Sequence, residues 1–236
     1  MVEHRAAVIG LDGVPPWLLD QLIEDGHLPR VAEFRDAGSY GRIRSSLNMM
    51  TASAWTGMVT GVNPGRHGLF NFLRYIPESH QITIPTSIDR QAGSIWDLLG
   101  IEGRKSAILR VPMTFPARPM NGITVSDHLA PSPLHPEFTW PKSLKKEMLL
   151  RYGAFGWVQE PITEHLKSRG QIDAFLKHIR EGVERTFDMV DYALEADDFS
   201  LIFAVVSQTD TLLHRLVQVF APQRARPDFV ESLPEG

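Results

Sequence analysis

Two short apolar runs constrain the fold of this chain more than any other feature. They occupy residues 6–11 and 199–206 and consist almost entirely of apolar residues, without the alternation of a half-exposed strand. A strand buried on both faces has this composition, because neither row of its side chains meets water. Strands of this kind belong to parallel sheets that carry helices on both faces. Both runs are therefore predicted to be interior strands of an α/β sheet.

The residues between these runs alternate between helical and strand patterns. Further strands are predicted at residues 39–44, 81–84, 105–111 and 123–125. Helices are predicted at residues 16–25, 31–37, 51–60, 94–99, 171–194 and 211–216. This alternation is typical of a mostly parallel sheet with helices on both faces. We expect a single domain over residues 1–236, in which the proline-rich residues 112–142 form an excursion over the ligand-binding edge of the sheet.

Composition excludes several classes of partner. The formal net charge is −4 with acidic and basic residues mixed, so no basic patch indicates nucleic acid or a membrane surface. No apolar run approaches membrane-spanning length, and the first residues are too few and too acidic for a signal peptide, so a cytoplasmic location is expected. The chain has no cysteine, so a metal ion could be held only by carboxylates, histidines and hydroxyls.

Four residues with catalytic or metal-binding chemistry lie beside predicted elements. Asp12 follows the first strand and Asp210 follows the last, and ligands bind at the carboxyl ends of strands in open α/β sheets. His214 lies four residues after Asp210, so on a helix both side chains would face one cation. Thr51 begins a predicted helix, where the positive helix end favours an alkoxide or a phosphate. Taken alone, Asp12 could be a turn residue and Thr51 an N-cap.

Several segments occur together in the order of a known family. They are Val8-Ile9-Gly10-Leu11-Asp12-Gly13, Leu28-Pro29, Thr51 with Ala54-Trp55, Thr60-Gly61-x-x-Pro64-x-x-His67-Gly68, and Asp210-x-x-x-His214. Together they resemble the type I phosphodiesterase/nucleotide pyrophosphatase family of the alkaline phosphatase superfamily. The segment from Thr60 to Gly68 is the most specific part of this resemblance.

The resemblance implies a hydrolase of phosphodiester, nucleotide pyrophosphate or phosphate-ester bonds that holds two divalent metal ions, with zinc as the expected metal. Asp12 and Thr51 would contact one ion, and Asp210 and His214 the other. Thr51 would be the nucleophile and form a phosphothreonine intermediate. Asn71 would donate to a phosphate oxygen of a small phosphate-ester or nucleotide-like substrate.

Members of the family continue past the Asp-x-x-x-His pair to an Asp-His-Gly segment and a further histidine, which complete the metal sites. This sequence ends shortly after His214. Asp127-His128 has the expected residue types, but it precedes Asp210, so we do not expect it to bind the metal ions. The sequence therefore predicts an alkaline phosphatase-like domain that is incomplete at its C-terminus, binds zinc weakly and tends to self-associate.

Three alternatives to this hydrolase have some of the same features. A non-catalytic or remnant binding domain would keep the fold with half of the metal ligands. A sulfatase is disfavoured because Thr51 is neither cysteine nor serine, and no Cys/Ser-x-Pro-x-Arg signature follows it. A nicotinamide-binding domain is disfavoured because no Gly-x-Gly-x-x-Gly follows the first strand.

Overall fold

The structure of the protein, a computed structural model, describes residues 4–127, 129–153 and 168–220, with side chains up to residue 216. The strands are Ala6–Leu11 (β1), Arg74–Ile76 (β2), Gln81–Thr83 (β3), Ser106–Leu109 (β4), Gly122–Val125 (β5), Thr139–Trp140 (β6) and Leu201–Val206 (β7). The α-helices are Pro16–Glu24 (α1), Pro29–Ala37 (α2), Thr51–Thr60 (α3), Pro64–His67 (α4), Ile95–Ile101 (α5), Leu144–Tyr152 (α6), Arg169–Ala196 (α7) and Gln208–Phe220 (α8).

The main sheet has five strands in the order β1-β7-β4-β5-β6. The first four strands are parallel, and only β6 is antiparallel to its neighbour. The register pairs Ala6 with Leu201 and Leu11 with Val206, so β1 and β7 end at the same edge of the sheet. Strands β2 and β3 form a separate antiparallel hairpin. The predicted mostly parallel α/β sheet is confirmed.

Helices cover both faces of this sheet. All six residues of β7 are buried. On one face, Ile202 packs in a cluster with Leu109 and with Met189 of α7. On the other face, Phe203 packs with Val59 of α3 and Trp96 of α5. None of the described helices is both long and apolar enough to span a membrane.

Strand β1 differs from its prediction. It pairs only with β7, and no other described strand lies against its second edge. Ile9 is 42% exposed and Leu11 is 41% exposed, so β1 is not buried on both faces. An apolar composition shows that a strand can be buried. It does not show whether a neighbouring element is present to bury it. The prediction of an interior strand is correct for β7 and wrong for β1.

The strand predicted at residues 39–44 is wrong. These residues alternate like a strand, but they pair with no described strand, and Ile43 is 97% exposed. Their polar side chains instead bind α1, because the Tyr40 hydroxyl and the Arg42 guanidinium each donate to Asp20 at 2.6 Å. Within the proline-rich residues 112–142, β5 confirms the strand predicted at residues 123–125, and β6 adds a second strand to the main sheet.

Candidate active site

The carboxyl ends of β1 and β7 bring Asp12 and Asp210 together. The Thr209 hydroxyl donates to the carbonyl oxygen of Asp12 at 2.7 Å and ties the start of α8 to the end of β1. Gly13 has φ +72°, and a Cβ at this position would lie 2.6 Å from Oδ1 of Asp210. The Asp210 carboxylate therefore packs directly against the backbone that follows Asp12. Glycine is required at position 13 both by this contact and by the positive φ.

Helix α3 adds the Thr51 hydroxyl to these two carboxylates. Trp55 Nε1 donates to Oδ1 of Asp12 at 2.9 Å, and the Thr51 hydroxyl lies within hydrogen-bonding reach of the same carboxylate. Thr51 and Trp55 are four residues apart, so they share the helix face that meets Asp12. The Trp55 ring fits because Gly10 has no side chain; a Cβ there would lie 2.3 Å from the ring.

The predicted capping role of Thr51 is wrong. Met50 occupies the N-cap position of α3, and Thr51 is the first helical residue, without a side-chain cap bond. The end of the helix agrees with its prediction, because Gly61 closes it with φ 68°. The Thr51 hydroxyl is thus directed to Asp12 and not to the helix backbone.

His214 lies beside Asp210 on α8, as the spacing predicts. Its Nε2 is 3.4 Å from Oδ1 of Asp210, and its side chain is 63% exposed. Asp210 lies in the first turn of α8 and not at the strand end itself. The pair presents one carboxylate and one imidazole to solvent at the same edge of the sheet as Asp12.

Burial changes the pKa values of both carboxyl groups in this cluster. It raises the pKa of the Asp12 carboxyl above its usual value; hydrogen bonds from Trp55 and Thr51 partly offset this rise, and repulsion from Asp210 adds to it. Burial also raises the pKa of Asp210, against the opposing effect of His214. Two crowded carboxylates of this kind favour a bound cation.

The donor chemistry here fits a divalent metal ion, because carboxylate, hydroxyl and imidazole are all accepted zinc or magnesium ligands. The coordination is only partial in the part of the chain that the structure describes. There, no group of three or more His, Asp or Glu side chains is placed to hold a metal ion.

Asp12→Asn should stabilise the metal-free protein at pH 8. A carboxyl whose folded pKa is raised stabilises the fold when protonated, and this contribution is lost as the pH rises through the raised pKa. The amide keeps an acceptor for Trp55 and removes the charge. We expect the Tm to rise by a few °C at pH 8, where about 1 kcal/mol corresponds to roughly 2–4 °C, and by less as the pH falls through the raised pKa.

Calorimetry on protein stripped of metal by a chelating resin measures this effect. Asp173→Asn, which removes an exposed carboxylate of α7, is the matched control and should leave the Tm unchanged. A lower Tm for Asp12→Asn at pH 8 would contradict the argument.

Asn71 lies in the loop that packs against the beginning of α3. In this loop, Leu69 packs against Ala52, and the Phe70 carbonyl accepts a hydrogen bond from Asn48. The Asn71 side chain is exposed, and its oxygen accepts from the Phe72 N–H at 2.7 Å. The amide nitrogen takes no part in that bond, and its role toward a phosphate oxygen stays a prediction.

His67 is fully buried at the end of α4. Its Nδ1 accepts a hydrogen bond from the Leu69 N–H at 3.2 Å, and burial lowers the pKa of its ring. These contacts favour a neutral imidazole that holds the turn between α4 and the Leu69 loop. They indicate a structural role for His67.

Sequence reasoning missed a second buried charged group at this edge. Asp127 follows β5, is fully buried, and accepts from the Met113 N–H at 2.9 Å. Burial raises its pKa to about 7 against the opposing charge of Arg110, which follows β4 and is also buried. The available signal was an arginine inside the apolar run at residues 107–111. His128, named beside Asp127 in the sequence analysis, lies outside the described residues.

Two solved structures have a fold similar to that of this chain. Phosphonoacetate hydrolase from Sinorhizobium meliloti 1021 in complex with phosphonoacetate has a TM-score of 0.56 and 14% identity, and the match covers 94% of this chain and 53% of that chain. The complex of the same protein with phosphonoformate gives a TM-score of 0.57 and 15% identity over the same coverage. The chain thus spans about half the length of these structures, and at this identity the likeness concerns the fold.

The family of the chain follows from its sequence. No curated protein gives a match. The model of the type I phosphodiesterase / nucleotide pyrophosphatase family matches residues 6–231, which include the first strand, α3 and the Asp210–His214 pair. This match extends over nearly the whole chain, and the alkaline phosphatase-like fold predicted from the sequence agrees with it. The chain therefore belongs to the type I phosphodiesterase/nucleotide pyrophosphatase family.

Proposed function

We propose that this protein is a metal-dependent hydrolase of small phosphodiesters, nucleotide pyrophosphates or phosphate esters, with Thr51 as nucleophile. The observation that carries the proposal is the convergence of Asp12, Asp210 and the Thr51 hydroxyl at the carboxyl edge of β1 and β7. The family supports hydrolysis of such bonds, and the solved complexes of the neighbouring hydrolase contain small phosphonates.

Two pairs of side chains would each hold one metal ion. Asp12 and Thr51 would hold one ion, and Asp210 and His214 the other. When bound, such ions lower the pKa of a coordinated hydroxyl and neutralise charge on the transferring phosphoryl group. The choice of zinc rests on the family resemblance and on the imidazole of His214.

The residues around Thr51 prepare its hydroxyl for attack on phosphorus. Asp12 would accept a hydrogen bond from this hydroxyl and so set its direction, and Trp55 holds Asp12 by donating to its Oδ1. Thr51 is the first residue of the ten-residue helix α3, so the backbone N–H groups of the first turn point toward an approaching phosphate.

In this reaction, the Thr51 oxygen forms a bond to phosphorus while the bond to the leaving alcohol or phosphate breaks. The Thr51 hydroxyl proton is released to solvent, and the leaving group takes up a proton from solvent. Water then attacks the phosphorus of the phosphothreonine, the bond from phosphorus to the Thr51 oxygen breaks, the phosphate product leaves, and the threonine oxygen regains a proton. Asn71, on the loop beside the start of α3, would donate to a phosphate oxygen during both steps.

Hydrolysis of bis(p-nitrophenyl) phosphate with added Zn²⁺ tests the proposal. We expect turnover that is lost on treatment with a chelator and restored by zinc. Asp210→Asn should weaken zinc binding about tenfold or more in a calorimetric titration, because it removes a charged ligand. Asp173→Asn should leave zinc binding and turnover unchanged. Turnover that survives complete metal removal would contradict metal dependence.

A non-catalytic phosphate-binding domain is the second candidate. It is favoured by one observation: the described residues offer two ligands per ion, where a zinc site uses about three. Zinc affinity that is orders of magnitude below that of a three-ligand site, together with no turnover under any metal, would select this candidate.

A further inference from the structure

A small cavity of about 20 Å³, open to solvent, lies beside α5 on the face of the sheet that α3 and α5 cover. Arg90 and Arg118 contribute two cationic groups to its wall, and Asp97 contributes the single carboxylate. The other lining groups are hydroxyls and the apolar surfaces of Trp96, Pro119 and Met120. The charged groups lining the cavity thus carry a net positive charge.

Arg90 is held rigidly in this wall. Its side chain is 5% exposed, and its guanidinium lies over the Trp96 ring at 5.5 Å from the ring centroid. Its Nε donates to the carbonyl oxygen of Ala92 at 3.2 Å, and its Nη2 donates to Ser94 at 3.3 Å and lies 3.5 Å from Asp97. The third nitrogen, Nη1, takes no part in these contacts. A buried guanidinium fixed in this way is organised before a ligand arrives.

Arg118 brings a second positive charge to the same place. It is exposed, and within the described ranges no hydrogen bond or ion pair joins it to another residue. Its charge lowers the pKa of Arg90, in addition to the larger effect of burial. Two like charges that face one cavity repel each other, and an anion between them removes this repulsion.

The hydroxyl groups of the wall do not donate to that anion, because their hydrogens are already donated to other protein atoms. The hydroxyl hydrogen of Ser87 is donated to the Pro116 carbonyl oxygen at 2.6 Å. Thr114 donates to the Val111 carbonyl oxygen at 2.6 Å, and Thr124 donates to the Met120 sulfur at 2.9 Å. The donors left to the cavity are therefore those of the two guanidinium groups.

We propose that the mouth of this cavity binds a small oxyanion. Arg90 and Arg118 hold its phosphate or carboxylate group, and one oxygen of that group enters the cavity. The cavity has room for about one water-sized group, so the rest of the anion stays at the mouth, which is open to solvent. Thr124 of β5 lines the cavity, whereas Asp12 and Asp210 follow β1 and β7. This site is separate from the proposed hydrolytic centre and does not depend on its activity.

Binding of inorganic phosphate and of acetate to the metal-free protein tests the proposal. Protein stripped by a chelating resin is used, because its uncompensated carboxylates at Asp12 and Asp210 repel anions. We expect saturable binding of at least one of the two anions by calorimetric titration. Preference for phosphate or for acetate identifies the head group.

Arg118→Gln should weaken this binding about tenfold, since a hydrogen bond to a charged group contributes about 1.5–3 kcal/mol. Arg104→Gln, which removes an exposed arginine just beyond the other end of α5, is the matched control and should retain the affinity. Thr51→Ala should retain it as well, because the hydrolytic centre takes no part. The indole N–H signal of Trp96 in an NMR titration should shift with the anion in the wild type and not in Arg118→Gln.

The proposal is overturned if neither anion saturates the wild-type protein. It is equally overturned if Arg118→Gln binds as tightly as the wild type, or if Arg104→Gln loses as much affinity as Arg118→Gln. Loss of binding in Thr51→Ala would place the anion at the hydrolytic centre instead.

Discussion

Thr51→Ala is expected to reduce kcat/KM for a phosphodiester by about a thousandfold or more, because Thr51 is the proposed nucleophile and alanine cannot form the covalent intermediate. The fold should be unaffected, since the Thr51 hydroxyl makes no cap bond in α3 and alanine is the best helix former. Steady-state kinetics with the zinc-loaded protein give the rate. Mass spectrometry after a rapid quench should detect a phosphorylated peptide containing Thr51 in the wild type only.

Thr60→Ala is the matched control, because Thr60 is at the other end of the same helix and donates to the Thr56 carbonyl oxygen at 2.6 Å. Its turnover should stay within a fewfold of the wild-type value. Thr51→Ser, which keeps a hydroxyl, should restore a measurable part of the rate. Near wild-type turnover by Thr51→Ala would show that the nucleophile is water or another group.

Asp127→Ala should lower the free energy of unfolding by about 1–3 kcal/mol, the range for leaving a buried donor without its acceptor. The substitution removes the negative charge beside the buried Arg110, and it also removes the acceptor of the Met113 N–H. Met113 has φ 64°, an unusual conformation for a non-glycine residue, so its backbone relies on that bond to hold its place. The chain between β4 and β5 should therefore lose the hydrogen bond that holds it at the edge of the sheet.

Urea unfolding followed by circular dichroism measures this loss as a lower midpoint. Asp127→Asn is the informative comparison, because it keeps an acceptor for Met113 and removes only the charge. We expect it to cost less than Asp127→Ala. A change below about 1 kcal/mol for Asp127→Ala would mean that Arg110 and Met113 find other partners.

The sequence predicted the parts of the fold that repeat or continue over many residues. The apolar stripe of α7 and the uninterrupted run of β7 leave little choice of structure, and both are confirmed. Residues 39–44 and β1 show the limit of such patterns. In both segments the side chains suit a strand, but whether a partner strand lies alongside is decided by distant parts of the chain.

The candidate site could be predicted in part for the same physical reason. Because β1 and β7 are parallel neighbours, residues that follow them must meet at one edge, and this brings Asp12 and Asp210 together. The direction of the Thr51 hydroxyl could not be predicted, because a local cap and a bond to Asp12 are both available to it until the helix docks. The burial of Arg110 and Asp127 near each other was missed, because burial of an arginine depends on its tertiary surroundings. The catalytic and metal-binding roles of Asp12, Thr51, Asn71, Asp210 and His214 stay predictions.

Strand β1 is the last strand on its side of the sheet in the described part of the chain, and Asp12 follows it directly. Leu11, the residue before Asp12, is 41% exposed, so the medium on that flank is water. A charge interaction across water is about fourfold weaker than the same interaction at a protein surface of intermediate dielectric. The field that α3 and the two carboxylates apply to a phosphate is therefore set partly by what lies beyond β1. A layer of polypeptide placed on that flank would strengthen the field without contacting any reacting atom.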